Sequence, residues 1–421
     1  MSLIRLEDLT PNQLAGKRVL VREDLNVPMS NGTIDDDSRI AAALPTLKYL
    51  IQAGAKVIVV SHFGRPKHEV NASDLGASCQ VNQTDRQQLS MTPISRHLAQ
   101  LLAGTPFIQA TDVVGEDAQA KVKALENGHV LVLENVRFEV GEEQNDPTFA
   151  KALASLADVY VNDAFGTSHR AHASTEGVAH LVPLAVAGLL MSAEIEALGG
   201  ILSNAPKPLT AIVGGSKVST KIAVLMNLLD KVDNIVIGGG MAYTFLLAQG
   251  YSVGKSLCEP AFVDTAKDIM AKAQANGVNL YLSQDIVVAD AFSASANTQI
   301  VDATAIPDGW EGMDIGPKSR QAFAEVILKS ASILWNGPVG VFEWDAFAEG
   351  TKALAVAVAQ ATQNGSKTVL GGGDTVSAVE KFKYPKSAFT HVSTGGGASL
   401  EFIEGKALPG IEALKACAVS I

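Results

Sequence analysis

Aromatic side chains make up only 5% of the 421 residues, and there are just three cysteines, Cys79, Cys258 and Cys417. The cysteines lie far apart and outside any CxxC pair, which excludes a disulfide framework and a zinc site as organising elements. Long apolar runs are missing as well; the longest, near residues 181–190, is short and broken by Pro183, so no membrane span is expected. The opening stretch MSLIRLEDLTPNQ carries charges where a secretory signal needs an apolar centre. Positive charge is scarce: 33 Lys and Arg face 44 Asp and Glu, a net −11, which argues against nucleic acid or an anionic membrane as the main partner. A cytoplasmic protein of a reducing compartment is expected. The common nucleotide signatures are absent too. No glycine turn completes GxGxxG, GYSVGKS at residues 250–256 is one residue short of a P-loop and follows a helical pattern, and there is no HRD loop or DFG triplet.

What is present is ample material for two cores, with 47% hydrophobic and 18% charged residues. At about 100–200 residues per domain the length predicts two domains or more. Runs such as RVLVRED, AKVIVVSH and HVLVLEN have no polar alternation, as in strands covered on both faces, and they alternate with helical patterns. Each half therefore reads as a doubly wound, parallel-sheet (Rossmann-like) α/β domain. The first spans residues 1–188 and the second 209–405, joined by a hinge helix and linker at 189–208 that carries Pro206 and Pro208. Residues 68–90 are polar, nearly free of bulky apolar side chains, and read as a surface loop.

The halves differ in chemistry. Nine of the ten arginines lie at or before Arg170, whereas IVGGSK, VIGGGM, VLGGGD and VSTGGG, glycine turns after strands, lie in the second half. Ligands of open α/β sheets sit beyond the carboxyl ends of the strands. The first domain thus offers forked cationic donors and the second bare backbone amides, which suits a small anion on one side and a nucleotide on the other. Strand-end candidates in the first half are Asp24 and Asn26, His62 and Arg65, Arg137, and His169, Arg170 and His172. Charged turns after strands would account for each group taken alone. Arg39 near a helix start opposes the helix dipole, which a ligand explains better than helix stability does. In the second half Lys217 and Lys221 are four apart, on one face of a helix start. Glu343 follows the turn WNGPVG, where it could accept from ribose hydroxyls or simply face solvent. Gly371, Gly372 and Gly373 lead into Asp374 and Thr375, a strand, a side-chain-free turn and a helix start suited to phosphate, with Asp374 supplying oxygens for magnesium. A plain strand-to-helix turn uses the same residues.

Taken together and in this order, RVLVREDLNVP, SHFGRP, DAFGTSHRAH, GGSKVSTKI, DIGPKS, WNGPVGVFE, GGGDT and HVSTGGGASLEFIEGKALPG resemble the phosphoglycerate kinase family over nearly the whole chain. The resemblance implies reversible transfer of the acyl phosphate of 1,3-bisphosphoglycerate to ADP, giving 3-phosphoglycerate and ATP, a step of glycolysis and, reversed, of gluconeogenesis. It implies that Asp24, Asn26, Arg39, His62, Arg65, Arg137 and Arg170 hold the glycerate and its 3-phosphate. Lys217 and Lys221 would face the nucleotide phosphates and the moving phosphoryl group, and Asp374 would hold the Mg2+ of the nucleotide, with Thr375 close by. Glu343 would meet the ribose, with the Gly214, Gly238 and Pro338 regions at the adenine. Gly372 and Gly373, and Gly395 and Gly396 at the start of the last long helix, would give amides to phosphate. It also implies a monomer that closes its two domains around both substrates, with residues of about 406–421 packing back on the first domain. A non-catalytic nucleotide- or phosphosugar-binding protein of the same architecture is the alternative, and an NAD-dependent dehydrogenase would need the missing GxGxxG.

Overall fold

The computed structural model describes residues 3–30, 32–70 and 79–417. The chain divides into two compact units, Met1–Glu194 with Ala407–Ile421, and Ile195–Lys406.

The first unit is built on a six-stranded sheet in the spatial order Ala185–Ala187, Val159–Asn162, Arg18–Arg22, Lys56–Val60, Val130–Val132, Phe107–Gln109. Every neighbouring pair is parallel. Val19, Val21, Val57, Val59, Val130, Val132 and Val161 join one core, covered by Ile40, Leu47 and Leu50 of helix Ser38–Gln52 and by Ile94 and Leu98 of helix Thr92–Leu101. Unalternating valine runs are therefore dictated by a sheet with helices on its faces. The order in which successive strands are added reverses between Arg18–Arg22 and Val159–Asn162, which run parallel, and this switch point opens a crevice at their carboxyl ends. Helix Pro409–Cys417 belongs to this unit, where the Gly410 N–H donates to the Ser168 carbonyl (3.0 Å) and the Cys417 thiol to the Ala179 carbonyl (2.8 Å).

The second unit carries another parallel six-stranded sheet, ordered Asn279–Tyr281, Asn234–Ile237, Leu209–Val213, Ser332–Asn336, Lys367–Gly371, His391–Val392. Its switch point lies between Leu209–Val213 and Ser332–Asn336. Ile212, Val236, Ile333, Trp335 and Leu370 pack against Phe323 and Ile327 of helix Pro317–Leu328 and Leu354 and Val358 of helix Glu349–Gln363. Both sheets are the doubly wound kind that the alternating pattern anticipates.

One expectation needs correction, and two features add to the sequence reading. Residues 68–90 are not a featureless loop: His68–Val70 and Cys79–Val81 form an antiparallel ladder, and helix Gln83–Gln88 follows, its first turn capped by the Asn82 side chain on the Asp85 N–H (2.8 Å). Backbone pairing and a cap need no apolar pattern; residues 71–78 lie outside the described residues. Helix Leu189–Ser203 runs straight through Gly199 and Gly200. Each mid-helix glycine costs about 1 kcal/mol, outweighed by burial of Leu198 and Ile201. The stretch NLYLSQDIVVA is two strands, and Asp285–Ala289 belongs to a small antiparallel sheet with Thr298–Asp302 and Glu311–Ile315. Its edge strand is mostly exposed, so no apolar signal announces it.

One device recurs: a carboxylate at a strand caps a helix across the fold, and a glycine leaves room for it. Asp285 accepts from the Lys318 and Ser319 amides (3.0 and 2.8 Å) at the start of helix Pro317–Leu328, and a Cβ on Gly316 would lie 2.3 Å from the Asp285 Cγ. Asp314 accepts from the Gly350 N–H (2.7 Å), and Asp163 from the Met191 N–H (3.0 Å) at helix Leu189–Ser203. Such caps satisfy amides that a helix start cannot pair by itself. Replacing Asp285 by alanine is expected to remove about 2–3 kcal/mol from the second unit, read as an earlier urea transition of that unit.

Candidate active site

At the carboxyl ends of the first sheet, tertiary packing brings together most of the residues singled out above. The Arg39 guanidinium donates to Asp24 Oδ2 (2.6 Å), so that pair forms across the turn and the helix start. Asn26 Oδ1 accepts from the Gly64 N–H (2.9 Å), tying the first strand's exit to the SHFGRP turn. Arg137 donates to the Gly64 carbonyl (2.7 Å) and meets Glu143 at 3.3 Å. Arg170 packs on its neighbour His169 (3.2 Å), and Arg65 is exposed.

Further buried residues support these side chains. Asn135 brackets the SHFGRP turn, accepting from the Phe63 N–H (3.2 Å) and donating to the Phe63 and Leu89 carbonyls (2.7 and 2.9 Å). Arg22 is buried beneath the site, donating to Ser174 Oγ (2.8 Å), to the Glu23 carbonyl and to His62 Nδ1 (3.1 Å). Ser174 in turn donates to the buried Glu142 (2.6 Å). Arginine has no acceptor, so His62 Nδ1 must accept and its ring proton sits on Nε2. Burial, then the charges of Arg22, Arg137, Arg39 and His172, hold the His62 pKa well below its usual value. His62 is therefore a neutral donor with a fixed tautomer. The only signal of this in the sequence is an arginine and a glutamate inside otherwise apolar strand ends.

In the second unit a cleft of about 650 Å³ opens at the switch point. Pro338, Glu343 and Asp374 line it, joined by Gly215, Gly239, Gly240, Gly312 and the apolar Tyr243, Leu257, Met313 and Val341. Phe292 and Trp344 stand together on its wall, ring centroids 4.8 Å apart, and Phe292 is 63% exposed. Gly214 and Gly238 lie one residue behind the lining. A Cβ on Gly214 would fall 2.0 Å from the Pro338 carbonyl oxygen, and one on Gly238 2.4 Å from Val339. They let the loops meet rather than face a ligand.

Lys217 and Lys221 do not sit on one helix face. Lys217 is extended and precedes the single turn Val218–Thr220, whereas Lys221 caps helix Ile222–Leu228. The break at Lys221 (φ −121°) turns its ammonium to Asn336 Oδ1. Asn336 also donates to the Gly371 carbonyl (2.9 Å), and Thr375 Oγ1 accepts from the Gly337 N–H (2.7 Å) while donating to Gly371 (2.9 Å). This lattice ties the three loops at the ends of neighbouring strands. Gly372 holds φ +92° as the cap of helix Gly373–Lys381, with Gly373 and Asp374 exposed in its first turn. Gly396 (φ +51°) caps Gly397–Ile403, which is neither long nor the last helix. Burial lowers the Lys221 pKa, opposed by Asp374 and Glu404.

A separate cleft of about 630 Å³ in the first unit, beside Asp35, Asp36 and Asp37, has its carboxylates already engaged by Ser30, Ser38 and His97.

A cationic strand-end site in one α/β unit and a glycine-lined, partly aromatic cleft in the other define a phosphotransferase with two anionic substrates. The sequence signature described as phosphoglycerate kinase matches residues 6–406, and the chain belongs to that family. It is 54% identical over 415 residues to the phosphoglycerate kinase of Synechococcus elongatus, spanning 98% of this chain and 99% of the relative. The figure for that of Acaryochloris marina is 52% over 415 residues, with the same shares. The fold is similar to the phosphoglycerate kinase structures from Coxiella burnetii (TM-score 0.87, 43% identity) and Pyrococcus horikoshii OT3 (0.79, 32%), each covering 100% of both chains.

Asp314 lies under the cleft, 2% exposed, and its Oδ1 has no hydrogen-bond partner. Cβ atoms on Gly340 and Gly350 would each come within 2.1 Å of that oxygen. Burial pushes its carboxyl pKa up to about 7. The folded state thus binds this proton more tightly than the unfolded chain, so the associated stability is present below the unfolded value and lost as pH rises through about 7. Asp314→Asn keeps an acceptor for Gly350 and carries no charge. Its denaturation midpoint is expected to fall less than that of the unaltered protein on going from acid to slightly alkaline buffer.

Proposed function

We propose that the chain catalyses reversible, magnesium-dependent phosphoryl transfer between 1,3-bisphosphoglycerate and ADP, yielding 3-phosphoglycerate and ATP. The observation that carries the residue assignment is the division of labour between the two strand-end sites: permanently charged donors in one unit, bare amides and a lysine in the other. In the direction that consumes ATP the acceptor is a carboxylate, ionised at pH 7, so no general base is needed. The chemistry reduces to orienting two anions and spreading charge during transfer.

In this reading Asp24, Asn26, His62, Arg65, Arg137 and Arg170 hold the glycerate and its phosphate. Arg39 spends one arm on Asp24 and keeps the rest of its five donors for the substrate. His62 offers Nε2–H without adding charge. The nucleotide lies in the second unit's cleft, its base against the Phe292–Trp344 wall, its ribose toward Glu343, and its phosphates toward Gly372, Gly373 and Thr375. Lys221, positioned by Asn336, and the Gly373 and Gly396 amides meet the transferring group, with Lys217 at the margin. Among the described residues there is no cluster of three metal-ligating side chains. One exposed carboxylate at a helix start suits Mg2+, which keeps several waters and completes its shell with nucleotide phosphates. Asp374 would hold it, and it would supply charge neutralisation between the phosphates. Direct in-line transfer follows approach of the two units once both substrates are bound, with water excluded. The chain is taken to act as a cytoplasmic monomer; among the described residues no helix is long and apolar enough to cross a membrane.

A coupled assay with 3-phosphoglycerate and Mg-ATP, following ADP, tests the reaction. Arg39→Ala or Lys221→Ala should each lower kcat by at least about 100–1,000-fold; near-normal turnover in either removes its role. Asp374→Ala should depress turnover far more than affinity for 3-phosphoglycerate, measured by calorimetry. Solution scattering should show compaction with both ligands present, and an unchanged radius of gyration would count against closure.

A further inference from the structure

Glu23 and Asp163 are completely buried, and the reaction as described uses neither. They stand side by side. Arg22 and Asn162 are register partners in adjacent parallel strands, and Glu23 and Asp163 follow them, the Asp163 N–H donating to the Arg22 carbonyl (2.9 Å). The next strand continues the row with Gly188, whose N–H donates to the Asn162 carbonyl (2.9 Å). A Cβ there would lie 2.2 Å from Asp163 Oδ1, so the carboxyl of Asp163 fills the space of the missing side chain.

Of the four carboxyl oxygens, only Asp163 Oδ1 is satisfied, by the Met191 N–H (3.0 Å). Both Glu23 oxygens and Asp163 Oδ2 are buried without a partner. Two dry neighbouring carboxyls cannot both ionise, and one proton between them resolves most of this shortfall. Asp163 faces donors: the amides of Leu190 and Met191 and the Thr46 hydroxyl from helix Ser38–Gln52, at the positive end of the 15-residue helix Leu189–Ser203. Glu23 faces none. Burial and then the charge of Asp163 push its pKa well above the usual carboxylate range, while Asp163 rises only to about 6. The other charged groups near the pair are Arg22, whose guanidinium is engaged by Ser174, His62 and the Glu23 carbonyl, and Asp24, bound to Arg39. Glu194, on the helix that Asp163 caps, is buried too.

We propose that Glu23 is a positioning residue: as a neutral carboxylic acid it donates a hydrogen bond to the Asp163 carboxylate at Oδ2, and so fastens the segment bearing Asp24 and Asn26 to the first turn of helix Leu189–Ser203. The link to catalysis rests on the assignment of Asp24 and Asn26 to the glycerate; the hydrogen bond itself does not. In alkaline buffer Glu23 ionises, two negative charges oppose each other, and the glycerate segment loosens. The KM for 3-phosphoglycerate then rises while that for Mg-ATP stays level.

The test compares the intact protein with Glu23→Gln, whose amide donates at any pH, and Glu23→Met, which donates nothing. Infrared difference spectra at neutral pH should contain a protonated-carboxyl C=O band that Glu23→Gln lacks. The glutamine variant should keep a near-normal KM for 3-phosphoglycerate and lose its alkaline rise. The methionine variant should raise that KM about tenfold with the KM for Mg-ATP unchanged. Absence of the band overturns the shared proton. Equal KM values for the two variants, or an alkaline rise that survives in Glu23→Gln, overturn the positioning role. If the methionine variant does not fold, the band and the glutamine pH profile decide. A band present in a protein that fails to turn over 3-phosphoglycerate would reject the functional reading and leave the hydrogen bond standing.

Discussion

The second unit's cleft depends on two loops touching backbone to backbone. The turn after Leu209–Val213 and the turn after Ser332–Asn336 leave adjacent strands and meet where any side chain would collide. A Cβ on Gly214 would overlap the Pro338 carbonyl, and one on Gly337 would lie 2.2 Å from the Gly214 carbonyl oxygen. Gly337 also needs φ +103°, which side-chain-bearing residues rarely adopt. With these turns interlocked, Gly215 and Gly239 reach the cleft surface, Asn336 reaches Lys221, and Gly337 receives Thr375. A methyl group at the interlock would disperse a lattice that no single hydrogen bond maintains.

The first unit solves the opposite problem, since it must keep several guanidiniums close together before any anion arrives. Three of them have a counterweight of their own: Asp24 for Arg39, Glu143 for Arg137, and Glu142 through Ser174 for Arg22. His62 is kept neutral by the same crowd. Such a site is organised in advance, so an arriving anion meets donors already oriented. A buried cation without a partner would be far more expensive than these shared ones.

Much of this was legible before any coordinates. Valine-rich strands alternating with helical periods identify the two sheets, and the uneven distribution of arginine and glycine separates the two chemistries. The invisible parts share a cause. Asn336, Asp314, Glu23 and Asp163 act through neighbours on other strands and helices, and contacts between elements leave no periodic trace along the chain. The spacing of Lys217 and Lys221 suggested a helix face because four residues match one turn; a tight turn followed by a break matches equally well. The exposed strand Thr298–Asp302 is invisible because solvent imposes no apolar pattern on it.

Helix Pro409–Cys417 belongs to the first unit although the whole of the second unit precedes it in the chain. The second unit is one uninterrupted stretch, whereas the first is assembled from segments on either side of it. During synthesis from the N-terminus, when domains fold largely as units, the first unit must wait with Ser168 and Ala179 uncovered while more than two hundred further residues emerge. The later-made unit can finish folding first, and the earlier one is completed only when the closing helix leaves the ribosome.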